Sequence, residues 1–215
     1  KALCEAAVAS QLPLLSGFMY LDPTRSSFYL EAERPEAAVS MRRLYGPEML
    51  SAVFLGRRYD FLPTVFSQVN ESVVPLIVQS ASGLAGTGDR FIDLYCGYGL
   101  FSYAVGGRFR EGCGLEANND AVHSAIGNRR FGDERARFLF LCTRVTAPSV
   151  TKMWENLPEA RTVCLLDPPR KGTDRGVIAS VARMRPERVI HAFCSVDRLR
   201  DELPLWTASG YEVDR

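Results

Sequence analysis

The chain has 215 residues, of which 47% are hydrophobic and 24% are charged, and its formal net charge is +1. This length and composition predict one globular domain with a small additional lobe, and no apolar run is long enough for a membrane span. The charges show no overall acidic or basic bias.

Six cysteines are spread along the chain without any C-x-x-C spacing, and most of them lie within apolar runs. This distribution favours small buried thiols over a disulfide scaffold or a zinc site, and it predicts that no metal is bound. It also predicts a reducing, intracellular setting, either cytoplasmic or mitochondrial. Because the first residue is Lys1, we expect a processed or trimmed chain.

The first part of the chain, residues 1–65, is predicted to form a small α+β lobe. It begins with a helix over Ala2–Leu15, and its remaining elements are two pairs of short strands separated by turn residues. These strands are Phe18–Leu21 with Ser27–Leu30, and Val53–Leu55 with Tyr59–Phe61 around Gly56.

An apolar stretch that runs from Val73 to Val78 predicts the next helix. Asn70 or Ser72 can cap its start, and Pro75 fits only in its first turn. Three glycines end the helix, namely Gly83, Gly86 and Gly88.

Residues 66–215 alternate predicted strands with predicted helices from Arg90 onward. The later strands are Cys113–Leu115, Phe138–Cys142, Thr162–Leu166 and Arg188–Phe193. The helices between them follow Asn118 or Asn119, span about Pro148 to Asn156, and start at Asp174. This alternation predicts a doubly wound, Rossmann-like α/β domain with a parallel sheet.

A glycine turn follows the first strand of this domain, Phe91–Leu94, and contains Gly97 and Gly99. Glycine lets the backbone approach a ligand closely, and the free amides of the helix behind it can bind a polar or anionic group. The turn therefore predicts a nucleotide-type cradle, although the full dinucleotide fingerprint is absent.

Three further polar side chains follow the ends of successive strands, namely Glu116, Asp167 and Cys194, and a doubly wound sheet brings such residues to one crevice. Glu116 has the spacing of a ribose-binding carboxylate, and the alternative is a carboxylate that only favours the helix start. Two prolines after Asp167 predict an extended loop that projects Asp167 and Arg170 into the crevice, and the alternative is a structural turn.

On these motifs the sequence resembles the S-adenosylmethionine-dependent uracil-C5 RNA methyltransferases, which make 5-methyluridine in transfer and ribosomal RNA. The similar segments are Leu44–Gly46, Tyr59–Pro63, Phe66–Asn70, Asp93–Phe101, Gly114–Asn118, Asp167–Gly172 and Cys194. The resemblance implies a class I methyltransferase fold, S-adenosylmethionine as cofactor and an RNA loop as partner.

By this resemblance the cofactor is contacted by Gln68, Tyr95, Gly97, Gly99, Glu116 and Asp167. The catalytic residues are Cys194, as the nucleophile, with Asp167 and Arg170. We expect Arg170, with Lys171 beside it, to favour the thiolate and to pair with RNA phosphate or the uracil carbonyl. A buried structural role for Cys194 is the alternative.

The sequence departs from the family pattern at three places. Ser195 and Val196 replace the Asn-Pro that follows the nucleophile, and Leu100 replaces a polar residue near the cofactor. The family's proton-abstracting glutamate would lie beyond Arg215, so we expect the methyltransferase domain to be incomplete at its C-terminus. Two alternatives stay open: a non-catalytic subunit of a ribonucleoprotein particle, and a methyltransferase that acts on an exocyclic amine.

Overall fold

The computed structural model describes residues 5–6, 9–10, 14–21, 40–68, 70–132 and 137–214. The strands are β1 (Gly17–Leu21), β2 (Ser40–Tyr45), β3 (Leu50–Phe54), β4 (Arg57–Phe61), β5 (Arg90–Leu94), β6 (Glu111–Glu116), β7 (Arg137–Cys142), β8 (Thr162–Leu166) and β9 (Arg188–His191). The helices are α1 (Val74–Ala85), α2 (Leu100–Ala104), α3 (Asn119–Asn128), α4 (Ala147–Glu155), α5 (Val177–Arg183) and α6 (Val196–Ala208).

The chain divides into two compact units, Lys1–Leu50 and Ser51–Arg215. In the first unit, β1 pairs antiparallel with β2. The predicted strand Ser27–Leu30 and most of the predicted helix Ala2–Leu15 lie outside the described residues. The sequence placed the lobe boundary at residue 65, whereas the β3–β4 hairpin, which forms around Gly56 as predicted, falls almost wholly within the larger unit.

The larger unit is built on a five-stranded parallel sheet with the order β7-β6-β5-β8-β9. The prediction of a doubly wound α/β domain is therefore confirmed. The strand order reverses beside β5, because the chain first adds β6 and β7 on one side and then β8 and β9 on the other. Ligands of such sheets bind at the carboxyl ends of the strands at this reversal.

The main core lies on one face of the sheet and holds α4, α5 and α6 against it. Alternate residues of the central strands are fully buried there, including Ile92, Leu94 and Leu166. Trp206 of α6 belongs to the same cluster. Phe91 and Asp93 point to the opposite face, where Ser102 of α2 bonds to Asp93. All five residues of β5 are buried, as expected for a central parallel strand.

Two buried glycines in β6, Gly112 and Gly114, leave room for aromatic rings of the neighbouring strand. A Cβ atom at either position would collide with the ring of Phe138 or Phe140. These two rings lie nearly parallel, with centroids 5.9 Å apart. The aromatic rings of β7 therefore fill the space that side chains of β6 would otherwise occupy.

Four details differ from the sequence prediction. The N-cap of α1 is Val73, without a side-chain cap, whereas Asn70 instead accepts a bond from the backbone N–H of Ser72 within the preceding turn. The helical spacing of Ala121, Val122, Ala125 and Ile126 predicts that all four share the buried face of α3, but Ile126 is exposed. Strand β9 ends at His191, and α6, which begins directly after Ser195, was not predicted.

Candidate functional site

The turn between β5 and α2 has left-handed backbone at three alternate residues. The φ angles are 68° at Tyr95, 51° at Gly97 and 85° at Gly99. A Cβ atom at Gly97 would meet nothing within 4 Å, so the space beside it is open to a ligand. At Gly99 a Cβ atom would lie 3.0 Å from the ring of Tyr103, so this glycine serves packing.

Glu116, at the end of β6, is held against this turn by two backbone donors. Its carboxylate accepts the N–H of Gly97 at 3.0 Å and the N–H of Asn118 at 2.7 Å. The Asn118 side chain in turn caps α3, as the sequence predicted. A carboxylate oxygen that accepts one bond keeps a second lone pair. Glu116 can therefore accept further donors from a ligand, and its contact with a ribose stays a prediction.

Asp93 lies beneath the glycine turn and is fully buried. Ser102 donates its hydroxyl to one carboxyl oxygen at 2.6 Å, and the other oxygen has no hydrogen-bond partner in the described part of the chain. Burial raises the pKa of Asp93 to about 7, and the neighbouring Asp167 and Glu116 act in the same direction. No role was predicted for Asp93, although an aspartate within an otherwise apolar strand was the available signal.

Asp167 follows β8, the neighbour of β5 at the reversal of strand order. Its backbone N–H donates to the carbonyl of Leu94 at 3.3 Å, which fixes the start of the Pro-Pro loop to β5. Burial raises the pKa of the Asp167 carboxyl to about 6. Three carboxyls, those of Asp93, Glu116 and Asp167, thus meet at this edge of the sheet and favour a positively charged ligand.

Cys194 lies three residues beyond the end of β9, next to the same loop. Its thiol donates to the carbonyl of Pro168 with an Sγ to O distance of 3.5 Å. Burial of the sulfur and the charge of Asp167 raise the pKa of the thiol, while Arg170 opposes them. Arg170 thus acts in the direction expected of it, towards the thiolate, but burial and Asp167 together have the larger effect in the ligand-free protein.

The two cations of this loop behave differently. Arg170 is exposed. The ammonium of Lys171 lies 3.4 Å from the carboxylate of Asp174, which also pairs with Arg144 at 3.0 Å. Arg144 and Lys171 together hold the pKa of Asp174 below its ordinary value. Arg170 is therefore the better placed of the two loop cations to contact a substrate.

The segment before Gln68 is fixed beside the glycine turn. Phe61 stacks on Tyr98 with ring centroids 4.9 Å apart. Asn128 accepts the backbone N–H of Asp60 at 2.7 Å and donates to the carbonyl of Tyr98 at 3.0 Å. Gln68 is half-buried at the end of this segment, and its contact with a cofactor stays a prediction.

No known family model matches the sequence. A protein of Nostoc named an uncharacterized RNA methyltransferase is 32% identical over 179 residues, which are 81% of this chain and 37% of that protein. One from Thermosynechococcus vestitus with the same kind of name is 32% identical over 177 residues, 79% of this chain and 37% of its own length. The chain thus spans little more than a third of these relatives.

Among solved structures, a tRNA (uracil-54, C5)-methyltransferase of Pyrococcus abyssi, in complex with S-adenosyl-L-homocysteine, superposes with a TM-score of 0.64. It is 21% identical, and the match covers 80% of this chain and 42% of that one. A putative S-adenosylmethionine-dependent methyltransferase of Streptococcus mutans gives 0.54 at 12% identity, over 81% of this chain and 50% of its own. The fold is that of the Rossmann-like methyltransferases.

In this fold the arginines of the loop between α3 and β7 do not form a free cluster. Arg129 donates to the carbonyl of Phe138 at 3.3 Å, and Arg130 pairs with Asp60 at 2.7 Å. Arg135 lies outside the described residues. Arg129 and Arg130 are thus committed to internal contacts.

The described ranges hold no group of three or more His, Cys, Asp or Glu side chains arranged to bind a metal ion. None of the helices described above is both long enough and apolar enough to cross a membrane.

Proposed function

We propose that this chain carries the catalytic crevice of an S-adenosylmethionine-dependent RNA methyltransferase that methylates C5 of a uridine through a covalent adduct with Cys194. The observation that carries the proposal is the meeting of Asp167 and Cys194 at one loop, beside the glycine turn, with the thiol bonded to Pro168. The names of the relatives support the RNA methyltransferase activity. The Pyrococcus neighbour supports uracil C5 as the target.

The crevice residues fit the cofactor chemically. S-adenosylmethionine offers ribose hydroxyls, an ammonium and a positively charged sulfonium, and it supplies an electrophilic methyl group when bound. Glu116 keeps lone pairs for the hydroxyls, while Asp167 and the unpaired oxygen of Asp93 favour positive charge. The open space beside Gly97 admits the ligand next to the backbone.

A cysteine is needed because C5 of uracil is too weak a nucleophile to attack a methylsulfonium. Addition of the Cys194 thiolate to C6 makes an enolate with electron density on C5. C5 then takes the methyl group, a base removes the C5 proton, and the thiolate leaves C6. We assign this base to no described residue.

Since the thiol of the free protein donates to Pro168, the target uridine must change the surroundings of Cys194. An RNA base flipped into the crevice would displace water from the loop and bring its phosphate and carbonyls towards Arg170. A guanidinium held closer to the sulfur favours the thiolate. In this proposal the nucleophile is activated by its substrate.

Trapping the adduct tests the proposal. RNA loops that carry 5-fluorouridine cannot lose fluorine as a cation, so the methylated adduct accumulates whether or not the base is present. We expect a denaturation-resistant RNA–protein adduct that needs S-adenosylmethionine and is abolished by Cys194→Ser. The exposed Cys142 offers a matched control, and Cys142→Ser should leave the adduct unchanged.

Other outcomes separate the alternatives. If the cofactor binds but no adduct forms, the cysteine mechanism is wrong and the non-catalytic ribonucleoprotein subunit is the better account. If methyl groups reach an exocyclic amine of the RNA, as nucleoside analysis would reveal, the amine methyltransferase is the correct reading.

A further inference from the structure

Below the crevice loop, four side chains form a chain of polar contacts that the catalytic proposal does not use. The indole N–H of Trp206 donates to Nδ1 of His191 at 3.0 Å. Nε2 of His191 lies 3.3 Å from Oε2 of Glu202, although neither atom makes a hydrogen bond in the described part of the chain. The other oxygen of Glu202 accepts both the backbone N–H of Thr173, at 2.7 Å, and its hydroxyl, at 3.0 Å.

The chain is buried at its centre. The side chains of His191 and Glu202 are 5% and 8% exposed. No Lys or Arg within the described ranges forms an ion pair with Glu202. Thr173 satisfies one of its carboxyl oxygens, and the other oxygen faces Nε2 of His191 without a hydrogen bond to any residue of those ranges. Burial of such polar groups lowers the free energy of unfolding unless each donor is matched to an acceptor.

Trp206 fixes which nitrogen of His191 carries the proton. An indole N–H can only donate, so Nδ1 of His191 must accept and the neutral ring carries its proton on Nε2. That proton then lies on the side of the ring nearest Glu202, whose ionised carboxyl can only accept. Burial lowers the pKa of His191 to about 4, which keeps the ring neutral at pH 7.

These contacts connect the segment that follows β8 with the segment that follows β9. Thr173 belongs to the loop after β8, which carries Asp167 and Arg170, whereas His191 ends β9, three residues before Cys194. The ring of His191 also stacks on Phe193, the neighbour of Cys194, with centroids 4.0 Å apart. Glu202 therefore touches the loop directly and the cysteine segment through one histidine.

We propose that Glu202 is a positioning residue, which fixes the second half of the Asp167–Asp174 loop relative to the Cys194 segment. This inference rests on the proposed function, because it assumes that Arg170 and Cys194 face the same nucleotide. The first half of the loop is held independently by the bond from Asp167 to Leu94. Loss of Glu202 should therefore disturb the nucleotide end of the crevice and spare the cofactor end.

The decisive variant is Glu202→Gln. Its amide NH₂ group would face the Nε2–H of His191, and the ring cannot reverse its tautomer without opposing the Trp206 N–H. We expect adduct formation with 5-fluorouridine RNA to slow at least about tenfold, while the dissociation constant for S-adenosylhomocysteine stays within about twofold. Asp201→Asn removes the same charge from the exposed neighbour and should change neither quantity.

A reversal experiment checks the direction of the bonds. In Trp206→Phe the indole donor is gone, so His191 can move its proton to Nδ1 and accept from a glutamine at position 202. Glu202→Gln should therefore slow adduct formation less in the Trp206→Phe background than it does in the wild-type protein. The double variant and the two single variants together measure this difference. Nitrogen NMR of His191, one of two histidines in the chain, should report the change of tautomer.

Several results would overturn the inference. If Glu202→Gln lowers the adduct rate and the cofactor affinity equally, Glu202 has a general structural role. If Glu202→Gln behaves like Asp201→Asn, Glu202 does not position the loop. If Glu202→Gln does not fold, Thr173→Ala against Thr173→Ser tests the same bond from the loop side. If the wild-type protein forms no adduct, the proposed function fails, and hydrogen exchange of backbone amides then tests the inference by itself. Glu202→Gln must accelerate exchange of the Thr173 amide and leave exchange of the Asp167 amide unchanged.

Discussion

Ser102 donates its hydroxyl to the buried carboxyl of Asp93 at 2.6 Å, directly beneath the glycine turn. The hydroxyl satisfies one carboxyl oxygen, and α2 is thereby tied to the central strand. The bond does not offset the burial of the carboxyl, because the pKa of Asp93 is still raised to about 7 from its ordinary value of 3.8. The helix that follows the glycine turn is therefore coupled to a titrating group.

The first prediction concerns stability and pH. Between the unfolded and folded pKa values of Asp93 the folded state binds more protons, so the free energy of unfolding should fall as pH rises from about 4 to about 7. The loss should be on the order of 4 kcal/mol, since one pKa unit corresponds to about 1.4 kcal/mol. Asp93→Asn should flatten this slope in urea titrations. Asp167 should leave a smaller slope of the same sign, and identical slopes in variant and wild type would contradict the assignment.

The second prediction concerns Glu116. Glu116→Ala removes the acceptor of two backbone N–H groups and of the expected ribose hydroxyls, so the affinity for S-adenosylhomocysteine should fall by roughly 1.5–3 kcal/mol. Glu116→Gln keeps one acceptor oxygen and should lose less. Isothermal calorimetry measures both, with Glu159→Ala as a control for the charge at an exposed position. Unchanged affinity in Glu116→Ala would remove this residue from the cofactor site.

The third prediction tests the loop below the crevice. Gly172 has a φ of 83°, and a Cβ atom there would press on the carboxylate of Glu202 and the side chain of Arg198. Gly172→Ala should lower the free energy of unfolding by about 1–3 kcal/mol. Gly127 of α3 has open space around it, so Gly127→Ala should instead stabilise the protein by about 0.5–1 kcal/mol. Opposite signs in chemical denaturation are the expected result.

The fourth prediction concerns the reactivity of Cys194. Since Asp167 raises the pKa of the thiol and Arg170 lowers it, Asp167→Asn should shift the pH profile of alkylation to lower pH. Arg170→Ala should shift it to higher pH. Mass spectrometry can follow iodoacetamide labelling at Cys194, with the exposed Cys142 as an internal reference. A profile that neither variant moves would show that the loop charges do not reach the sulfur.

The fifth prediction concerns RNA. Arg170 is exposed beside the crevice, whereas Arg130 is paired with Asp60. Arg170→Ala should weaken binding of a uridine loop and reduce the salt dependence of the affinity, because fewer phosphate contacts release fewer counterions. Arg130→Ala should mainly lower stability. Fluorescence titrations at several salt concentrations would contradict this if the two variants behaved alike.

Much of the larger unit could be predicted from its sequence. Apolar runs that end in a glycine or an acidic residue indicated the first strands of the sheet. Strand β8 was predicted with the bounds that the structure shows, Thr162–Leu166. Buried parallel strands give this strong signal because both faces need apolar side chains. The rule that ligands bind at the carboxyl ends of such strands then brought Glu116, Asp167 and Cys194 together.

The parts that could not be predicted depend on contacts between distant segments. Helix α6 contains Pro204, and several of its apolar residues, such as Val196 and Leu205, are exposed, so its apolar residues do not mark its buried face. Its burial depends on Trp206 and Glu202, whose partners come from β9 and the loop after β8. The raised pKa of Cys194 likewise reflects partial burial of its sulfur together with the charge of Asp167, and both depend on how the loop after β8 folds against it.

The bonds that Asn128 makes to Asp60 and Tyr98 determine where the chain can be cut. A protein that starts at Ser51 keeps the β3–β4 hairpin, the ring of Phe61 over Tyr98 and the acceptor role of Asn128. A protein that starts at Phe66, at the predicted boundary between the lobe and the larger domain, lacks the ring that covers Tyr98. It also lacks the backbone N–H of Asp60 that donates to Asn128. A shortened protein suitable for crystallisation or isotope labelling should therefore begin ahead of the hairpin, since the glycine turn relies on it for cover.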